Sequence, residues 1–473
     1  MTAGIAYVDT TLRDLATPPW GTAMDADDLS TATAELVTAR PAVLEVMDSR
    51  AASTALEVRG ESPWDRLRSV VRESGDVPVG LIVSGRTLWG TRPLGADVVA
   101  RFAESARTSG VARIRGFDPL NNADMLVALA EGCGDGVEFV PTLILGAAPA
   151  AGDPRWVDEA RALAALPGVT TLSLADKAGH LSPGELAALV EAVREATGLR
   201  IEVQVPAPGG LAPLLALAAV NAGAQAIQAS TGAAAVIAAR PSVESMRAAH
   251  KGTALPLDCD EDGVAHASRA VGDLIPAEQL RRATNAVYGS AVGLPPDLEA
   301  AVSWRMARHG LERIAGDAVA ESARVAEDLG GLTLAHPLGE AIVSQAAQHL
   351  VEGERWREID PILAQAALGH IGPLRGDVAP EARAAAEAAS LPEEHAAPAN
   401  LAQVRADGPE RTSEEDLVLW AQFGDLAESL LRRRRSLGGE LLAAPEEAGI
   451  SRDLLETLVD VVERSGEAEV SVE

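Results

Sequence analysis

Two charged side chains near the amino terminus are the first candidates for chemistry. Arg13 and Asp14 close the segment Tyr7–Asp14 (YVDTTLRD), just after the apolar run Ile5–Val8. Such a run predicts a buried parallel strand, and β/α barrels place their chemistry at the carboxyl ends of their strands. The sequence therefore predicts that Arg13 can bind a carboxylate and Asp14 can hold a metal ion at the mouth of a barrel.

The elements that must position these side chains recur at regular spacing. Strand-like runs alternate with stretches of helical character, and glycine follows many of the helical stretches, as a helix C-cap requires. This alternation predicts an α/β fold, a (β/α)8 TIM barrel over residues 1–250, followed by a mostly helical C-terminal domain. The predicted strands are Ile5–Leu12, Val43–Asp48, Val77–Val83, Ala112–Asp118, Val137–Leu145, Val169–Leu174, Arg200–Val205 and Ala224–Gln228.

The remainder of the chain changes in character. Residues 251–390 predict a connecting and helical domain, residues 391–411 a linker with several prolines, and residues 412–473 a helical C-terminal tail. The tail contains the run Arg432–Arg435, which predicts a solvated helix face or, alternatively, a contact for an acidic partner.

Composition limits the classes of partner. The formal net charge of −29 argues against nucleic acid and anionic membranes as partners. No run of 18 or more apolar residues and no signal-peptide pattern is present in the sequence. Its two cysteines make a disulfide framework unexpected, so we expect a cytoplasmic protein.

Several ordered segments resemble the carboxyltransferase component of biotin-dependent enzymes: pyruvate carboxylase, the oxaloacetate decarboxylase alpha subunit and the transcarboxylase carboxyltransferase subunit. The resemblance covers roughly residues 5 to 430. The segments are DTTLRD (Asp9–Asp14), ESPWDRLR (Glu61–Arg68, family EDPWERLR), RGFDPLNN (Arg115–Asn122, family RIFDALND), ADKAGHLSP (Ala175–Pro183, family KDMAGLLTP), PSVESM (Pro241–Met246, family QPSTESM) and the second-domain segment His336–Trp356.

The resemblance implies a divalent metal at the barrel mouth, and this chain lacks most of its ligands. In the family the ligands are an aspartate, a carbamylated lysine and two strand histidines. Asp14 matches the aspartate, whereas Ala175 stands at the lysine position and Glu202 and Gln204 stand at the histidine positions. The family's proton-transfer threonine also has no counterpart before Trp304.

A remodelled metal site is one alternative for these positions. Lys177 lies two residues beyond Ala175, so in an extended strand it points to the same side. Asp14, Glu202 and Gln204 could then offer oxygen ligands suited to magnesium or manganese. In the other interpretation these are polar barrel residues paired with arginines.

Three arginines are candidates for anion or substrate binding. Arg13 and Arg115 could form an anion clamp, or could instead form structural ion pairs with Asp14 and Asp118. The family's mouth arginine aligns with Ser84, and Arg86, two positions later, could restore carboxylate binding.

The resemblance also sets expectations about cofactors and partners. Biotin is carried on a lysine flanked by methionines, and neither Lys177 nor Lys251 has such neighbours, so biotin would come only on a partner carrier. We expect a homologue that has lost metal-dependent catalysis and acts as a structural or regulatory subunit beside a biotin carboxyl carrier and a biotin carboxylase, and a homodimer by resemblance. The alternatives are an active carboxyltransferase or decarboxylase of a keto acid or acyl-CoA, and an aldol-type lyase.

Overall fold

Eight parallel strands close into a barrel in the order of the sequence. The computed structural model describes residues 4–16, 24–146, 152–177, 179–275, 280, 295–391, 398–409 and 412–443. The barrel closes where β1 pairs with β8, with Ala6 opposite Ala226. This architecture confirms the predicted TIM barrel. The strands are β1 Ala6–Asp9, β2 Val43–Met47, β3 Val79–Ser84, β4 Arg113–Phe117, β5 Glu138–Leu145, β6 Thr171–Asp176, β7 Arg200–Gln204 and β8 Ala226–Ala229.

The first strand is shorter than the sequence predicted. It ends at Asp9, and Thr11–Leu15 form a short helix. The backbone turns here because an oxygen of Asp9 accepts a hydrogen bond from the backbone N–H of Thr11 (2.8 Å). Arg13 and Asp14 are therefore carried by a helical turn beyond the strand.

Helices surround the barrel, and local signals in the sequence explain their ends. Ser62 accepts from the N–H of Trp64 before a helix that begins at Pro63, and Ser182 forms a capping box with Glu185. The helices of this part are Thr11–Leu15, Ala26–Leu36, Ser49–Thr54, Pro63–Glu73, Ala96–Thr108, Val127–Cys133, Arg155–Ala164, Pro183–Thr197, Ala212–Asn221, Ala233–Ile237, Val243–His250 and Glu261–Leu274.

A helical region follows the barrel and has an apolar core of its own. This core includes Val325, Leu338, Ile342 and Leu363, which are all buried. The helices of the region are Pro296–Arg308, Ala315–Asp328, Leu338–Glu352, Pro361–Ala367 and Pro380–Ala388.

The last described helices return to the barrel. Glu414–Phe423 and Asp425–Ala443, which we call the C-terminal strap, bury Val418 and Leu419 in the same apolar core as the barrel helices. The indole N–H of Trp64 donates to the carbonyl oxygen of Glu415 (3.1 Å). Part of the predicted tail is thus packed against the barrel.

The predicted linker and the arginine run of the tail both differ from what the sequence predicted. The predicted linker contains the helix Leu401–Asp407, whose first N–H donates to the carboxylate of Asp97 (2.9 Å). Within the arginine run, the side chain of Arg434 is only 3% exposed and pairs with Asp65, so the run is not a fully solvated face. Among the helices that the structure describes, none is long and apolar enough to cross a membrane.

Candidate functional site at the barrel mouth

The inside of the barrel is charged, whereas TIM barrels usually fill this space with branched apolar side chains. Arg113 and Arg115 lie two residues apart on β4 and therefore point to the same side of the strand. Arg115 donates from Nε and Nη2 to the two oxygens of Glu45 (2.8 and 2.9 Å) and from Nη1 to Gln204 (2.7 Å). Arg113 donates to Glu202 (2.5 Å). These buried polar side chains pair with one another, and among the described residues Nε of Arg113 is left without a hydrogen-bond partner.

A second set of pairs extends this network toward the mouth. Arg13 donates from Nη1 to Glu45 and from Nη2 to Asp14 (3.1 Å). Arg240 donates from Nε and Nη2 to the two oxygens of Asp14, both at 3.3 Å. The result is an alternating series, Arg240, Asp14, Arg13, Glu45 and Arg115, which we call the charge chain.

The carboxylate of Asp14 is held by neutral donors as well. The hydroxyl groups of Thr10 and Ser230 donate to its Oδ2 at 2.8 and 2.7 Å. Burial alone would raise the pKa of Asp14, but Arg240 and Arg13 outweigh burial and lower it. Asp14 is therefore an ionised carboxylate whose oxygens are already engaged.

Glu45 is the central acid of the charge chain. Burial opposes its ionisation, yet Arg115 and Arg13 lower the pKa of Glu45 to about 2. Its side chain is only 1% exposed, so these two guanidinium groups take the place of water around it.

A small cavity remains between the charge chain and solvent. This mouth cavity has a volume of about 10 Å³, which corresponds to about one water molecule. Four basic side chains, Arg13, Arg50, Lys177 and Arg240, line it beside one acid, Asp48. The cavity is therefore rich in positive charge and too small, as it stands, for a keto acid.

The wall of the mouth next to β6 is apolar. Ala175 lies in a buried group with Ile82, Phe117 and Ile144, joined by Ala335 from the helical region. The ammonium group of Lys177 stands 5.1 Å from the ring centre of Phe117. The position that would carry the family's modified lysine thus contributes only a methyl group.

The helical region covers the mouth from the other side. Nε2 of His336 donates to the carbonyl oxygen of Gly90 (2.8 Å), and its Nδ1 lies 3.3 Å from Glu340. Arg50 pairs with Glu340 at 3.2 Å; although burial opposes it, Arg50 and His336 lower the pKa of Glu340 to about 2. An outer cleft of about 490 Å³ shares Ser49, Arg50 and His336 with the mouth cavity.

The three candidate arginines have different partners in the structure. Arg13 does pair with Asp14, but Arg115 pairs with Glu45 and not with Asp118, whose Oδ2 accepts from the backbone instead. Arg86 donates to the carbonyl oxygen of Leu94 (2.9 Å) and is not among the residues that line the mouth cavity.

The oxygen ligands of the predicted metal alternative are not free. Glu202 accepts from Arg113 and from Gln228 (2.7 Å), and Gln204 accepts from Arg115. Within the described ranges, no three or more His, Cys, Asp and Glu side chains are arranged to hold a metal ion. The residues present do not fit the metal ligand set that the resemblance implies.

Three residues of the network were not singled out from the sequence. Glu45 sits in an otherwise apolar strand, and Arg113 precedes Arg115 by two positions, a spacing that could have indicated a shared face. Arg240 directly precedes the segment PSVESM and stands where the family motif QPSTESM has glutamine. That departure was the strongest signal, because it places a cation beside Asp14.

The comparisons with known proteins agree with the fold and the motifs. The chain is 26% identical to a subunit of the pyruvate carboxylase of Methanocaldococcus jannaschii, over 99% of this chain and 84% of that protein. It is 21% identical to the methylmalonyl-CoA carboxyltransferase 5S subunit of Propionibacterium freudenreichii, over 80% of this chain and 75% of that protein. No family model matches.

A solved structure shows the same fold. The carboxyl transferase domain of Rhizobium etli pyruvate carboxylase, solved with pyruvate, superposes with a TM-score of 0.76 over 90% of this chain and 76% of that chain, at 18% identity. The fold and the sequence matches place the molecule among TIM-barrel proteins related to carboxyltransferases. More particularly, the chain resembles the pyruvate carboxylase subunit and the methylmalonyl-CoA carboxyltransferase 5S subunit that it matches, as its motifs indicated.

Proposed function

We propose that this chain is a carboxyltransferase-type subunit that has lost metal-dependent catalysis and serves a structural or regulatory role in a biotin-dependent carboxylase or transcarboxylase assembly. One observation carries the proposal. The carboxylate of Asp14, which matches the family's metal ligand, is bound through both oxygens by Arg240 and through one oxygen by Arg13. A guanidinium group supplies the positive charge that a metal supplies in the family.

The surroundings of Asp14 support the same proposal. A metal ion would have to displace the guanidinium of Arg240, which is buried and would then lose the carboxylate that it pairs with. Ala175 offers no ligand atom, and Glu202 is paired with Arg113. The Lewis acid that is missing would be worth several kcal/mol to formation of an enolate. The missing proton-transfer threonine adds a loss of about 10²–10⁴-fold.

The partner proposal follows from the relatives. Those named above are a subunit of pyruvate carboxylase and a subunit of methylmalonyl-CoA carboxyltransferase. We infer that this chain likewise joins a biotin carboxyl carrier and a biotin carboxylase, since it has no lysine placed to carry biotin itself. A homodimer remains an expectation by resemblance, and a cytoplasmic location remains an expectation from the cysteine content.

Metal analysis of the protein purified from its native cell, without chelators, tests the loss of the metal. We expect far less than one divalent ion per chain in the wild type and in Asp14→Asn alike. A stoichiometric ion that disappears in Asp14→Asn would overturn the proposal. The double variant Arg240→Gln/Ala175→Lys, which restores two residues of the family motifs, is the positive control for regained metal affinity.

Affinity purification of the tagged full chain tests the partner role. We expect a biotinylated polypeptide, detected with labelled streptavidin, in the purified complex. A matched pull-down with an unrelated tagged TIM-barrel protein controls for free biotinylated proteins. A chain recovered without any biotinylated polypeptide at physiological salt would contradict the assembly role.

An active, metal-independent carboxyltransferase or decarboxylase is the second candidate. The basic side chains at the mouth favour it, because Arg240 and Lys177 could stabilise negative charge that develops on a keto acid. This candidate predicts biotin-dependent decarboxylation of oxaloacetate that survives chelation and falls at least tenfold in Lys177→Met. Absence of turnover in the reconstituted assembly would favour the first candidate. Nothing in the geometry of the described residues favours the aldol-type lyase.

A further inference from the structure

The loop after β3 lies between the C-terminal strap and the helical region. We call residues 85–95, which follow β3, the β3 loop. On the strap side, the backbone N–H of Trp89 donates to the side-chain oxygen of Gln422 (2.9 Å), and Arg92 donates to the carbonyl oxygen of Ala421 (2.8 Å). Gln422 is only 5% exposed, so water does not replace its side chain freely. The strap therefore holds the backbone of the β3 loop.

Gly90 brings the β3 loop and the strap into direct contact. A Cβ atom at this position would lie 2.6 Å from the carbonyl oxygen of Gln422, closer than such atoms approach one another. Glycine, which has no Cβ, allows the two segments to pack this closely. The nearby Leu88 has a φ of 54°, in the left-handed region that leucine rarely adopts. Because such a conformation persists only where its surroundings hold it, the shape of the loop depends on contacts like these.

The helical region is attached to the same glycine. The carbonyl oxygen of Gly90 accepts a hydrogen bond from Nε2 of His336 (2.8 Å). His336 lines the mouth cavity, and the residue before it, Ala335, belongs to the buried group that contains Ala175 and Phe117 in the wall of the mouth. A movement of Gly90 must therefore disturb the contact that seats the helical region on the mouth.

A buried ion pair extends this connection to the rim of the mouth. Nδ1 of His336 lies 3.3 Å from Glu340, and Glu340 pairs at 3.2 Å with Arg50, which lines the mouth cavity. Strap and mouth are thus joined by one contiguous series of contacts, through Gln422, Gly90, His336, Glu340 and Arg50. Packed and hydrogen-bonded series of this kind carry coupling between distant parts of a protein.

The anchors of the strap lie away from the mouth. Both oxygens of Glu415 accept from Arg68 (2.9 and 2.8 Å), and its carbonyl oxygen accepts from Trp64. Arg434 pairs with Asp65. None of these five residues lines the mouth cavity. A change at the anchors would therefore act on the mouth through the strap.

We propose that the C-terminal strap is a built-in closure contact: while Gln422 holds the β3 loop, the helical region stays closed over the mouth, and displacement of the strap opens it. Because such coupling is reciprocal, loss of the His336 contact should in turn loosen the strap. This inference goes beyond the proposed function, since it concerns access to the mouth in the isolated chain. Its test needs no metal, biotin or partner, so either proposal can fail while the other stands.

The two lysines of the chain provide a measurement of opening. Lys177 lines the mouth cavity, whereas Lys251 is exposed. Trace labelling of the isolated full chain with acetic anhydride, followed by peptide mass spectrometry, gives the labelling of Lys177 relative to that of Lys251. Hydrogen–deuterium exchange of residues 414–434 reports opening of the strap in the same samples.

Gln422→Leu is the first variant, because it keeps the size of the side chain and removes the oxygen to which Trp89 donates. We expect faster exchange in the strap and a rise of about tenfold in the labelling ratio, the shift expected for one lost buried hydrogen bond. Gln348→Leu is the matched control. Gln348 donates to Glu352 on the surface of the helical region, so this change should leave both measurements at their wild-type values.

Gly90→Ala and Leu419→Ala displace the strap in other ways, by a methyl group placed against it and by loss of a buried side chain. Both should raise the labelling ratio while the barrel helix Pro183–Thr197 keeps its wild-type exchange. His336→Phe should speed exchange in the strap. If one variant does not fold, the others decide. A strap that exchanges faster while the labelling of Lys177 does not change would overturn the proposal, and so would wild-type exchange of the strap in every folded variant.

Discussion

Glu45 inside the barrel and Asp65 beneath the C-terminal strap have the same kind of neighbours but opposite ionisation behaviour. Glu45 lies between Arg13 and Arg115, and Asp65 lies between Arg68 and Arg434. The pKa of Glu45 falls from 4.5 to about 2, whereas the pKa of Asp65 rises from 3.8 to about 6. Two arginines do not by themselves determine how a buried acid ionises.

The difference comes from what else surrounds each acid. Burial raises both pKa values, but Glu45 accepts two hydrogen bonds from Arg115 and one from Arg13. Asp65 has another acid, Asp416, close by, and that negative charge adds to the effect of burial. Burial and Asp416 together outweigh the two arginines at Asp65, whereas at Glu45, which Arg115 binds through both oxygens, the arginines outweigh burial.

The two regions also differ in what else stabilises them. The strap buries apolar side chains such as Val418 and Leu419, and Trp64 packs against Trp89 and Phe102 nearby, with ring centres 5.1 and 5.3 Å from that of Trp64. The lumen around Glu45 has polar partners instead. Removing an acid should therefore lower the free energy of unfolding more inside the barrel than under the strap.

The largest expected effect is that of Glu45→Gln. This change leaves the buried guanidinium groups of Arg13 and Arg115 with no shared carboxylate. Breaking a buried pair in this way costs about 3–5 kcal/mol. We expect that loss in the free energy of unfolding measured by urea titration, or failure to fold. A variant as stable as the wild type would remove the basis of the comparison.

Leu419→Ala tests the apolar contribution of the strap. Leu419 is fully buried, and truncation of such a leucine costs about 2–5 kcal/mol. We expect a lower midpoint in urea and earlier proteolysis of the strap. Leu214→Ala, at a side chain that is 54% exposed, is the matched control and should change stability by less than about 0.5 kcal/mol.

The pH dependence of Asp65 gives a sharper test of the opposite pKa shifts. Because its pKa is raised in the folded state to about 6, the contribution of Asp65 to stability is present below about pH 4 and is lost as the pH rises through about 6. Asp65→Asn should remove a decline of about 2 kcal/mol between about pH 4 and 7. Parallel stability profiles of variant and wild type would show that Asp65 ionises normally.

The smallest effect is expected at the edge of the lumen network. Glu138 pairs with Arg113 at 3.2 Å, but its side chain is 43% exposed. Exposed ion pairs contribute about 0–1 kcal/mol. Glu138→Gln should therefore be nearly neutral in the same urea titration that measures Glu45→Gln. A loss of stability as large as that of Glu45→Gln would mean that the number of charges, and not their burial, determines how much each ion pair of the network contributes to stability.

The barrel could be predicted from the sequence because each strand and helix is a local pattern. The end of β1 could not be predicted in this way. The helical turn Thr11–Leu15 that follows it is fixed by Asp9 and by hydrogen bonds from Ser230 and Thr231, which lie about 220 positions away in the sequence. The helix in the predicted linker could have been predicted from a local pattern, because Asn400 and Gln403 form a capping box at its start.

The site was only partly predictable for a related reason. The sequence identified Arg13, Asp14 and the altered ligand positions, but the partner of each side chain depends on which strands lie across the lumen. Arg115 reaches Glu45, 70 residues away, and Arg240 reaches Asp14, 226 residues away. No local pattern encodes such pairs, and only the closure of the barrel brings them together.

The guanidinium beside Asp14 has one further consequence. Arg240 is a covalent part of the polypeptide, so the positive charge at this position is present as soon as the chain has folded. It cannot be withdrawn by a chelator, exchanged for a different ion or left out when trace elements are scarce. The positive charge that pairs with Asp14 is therefore in place without a loading step.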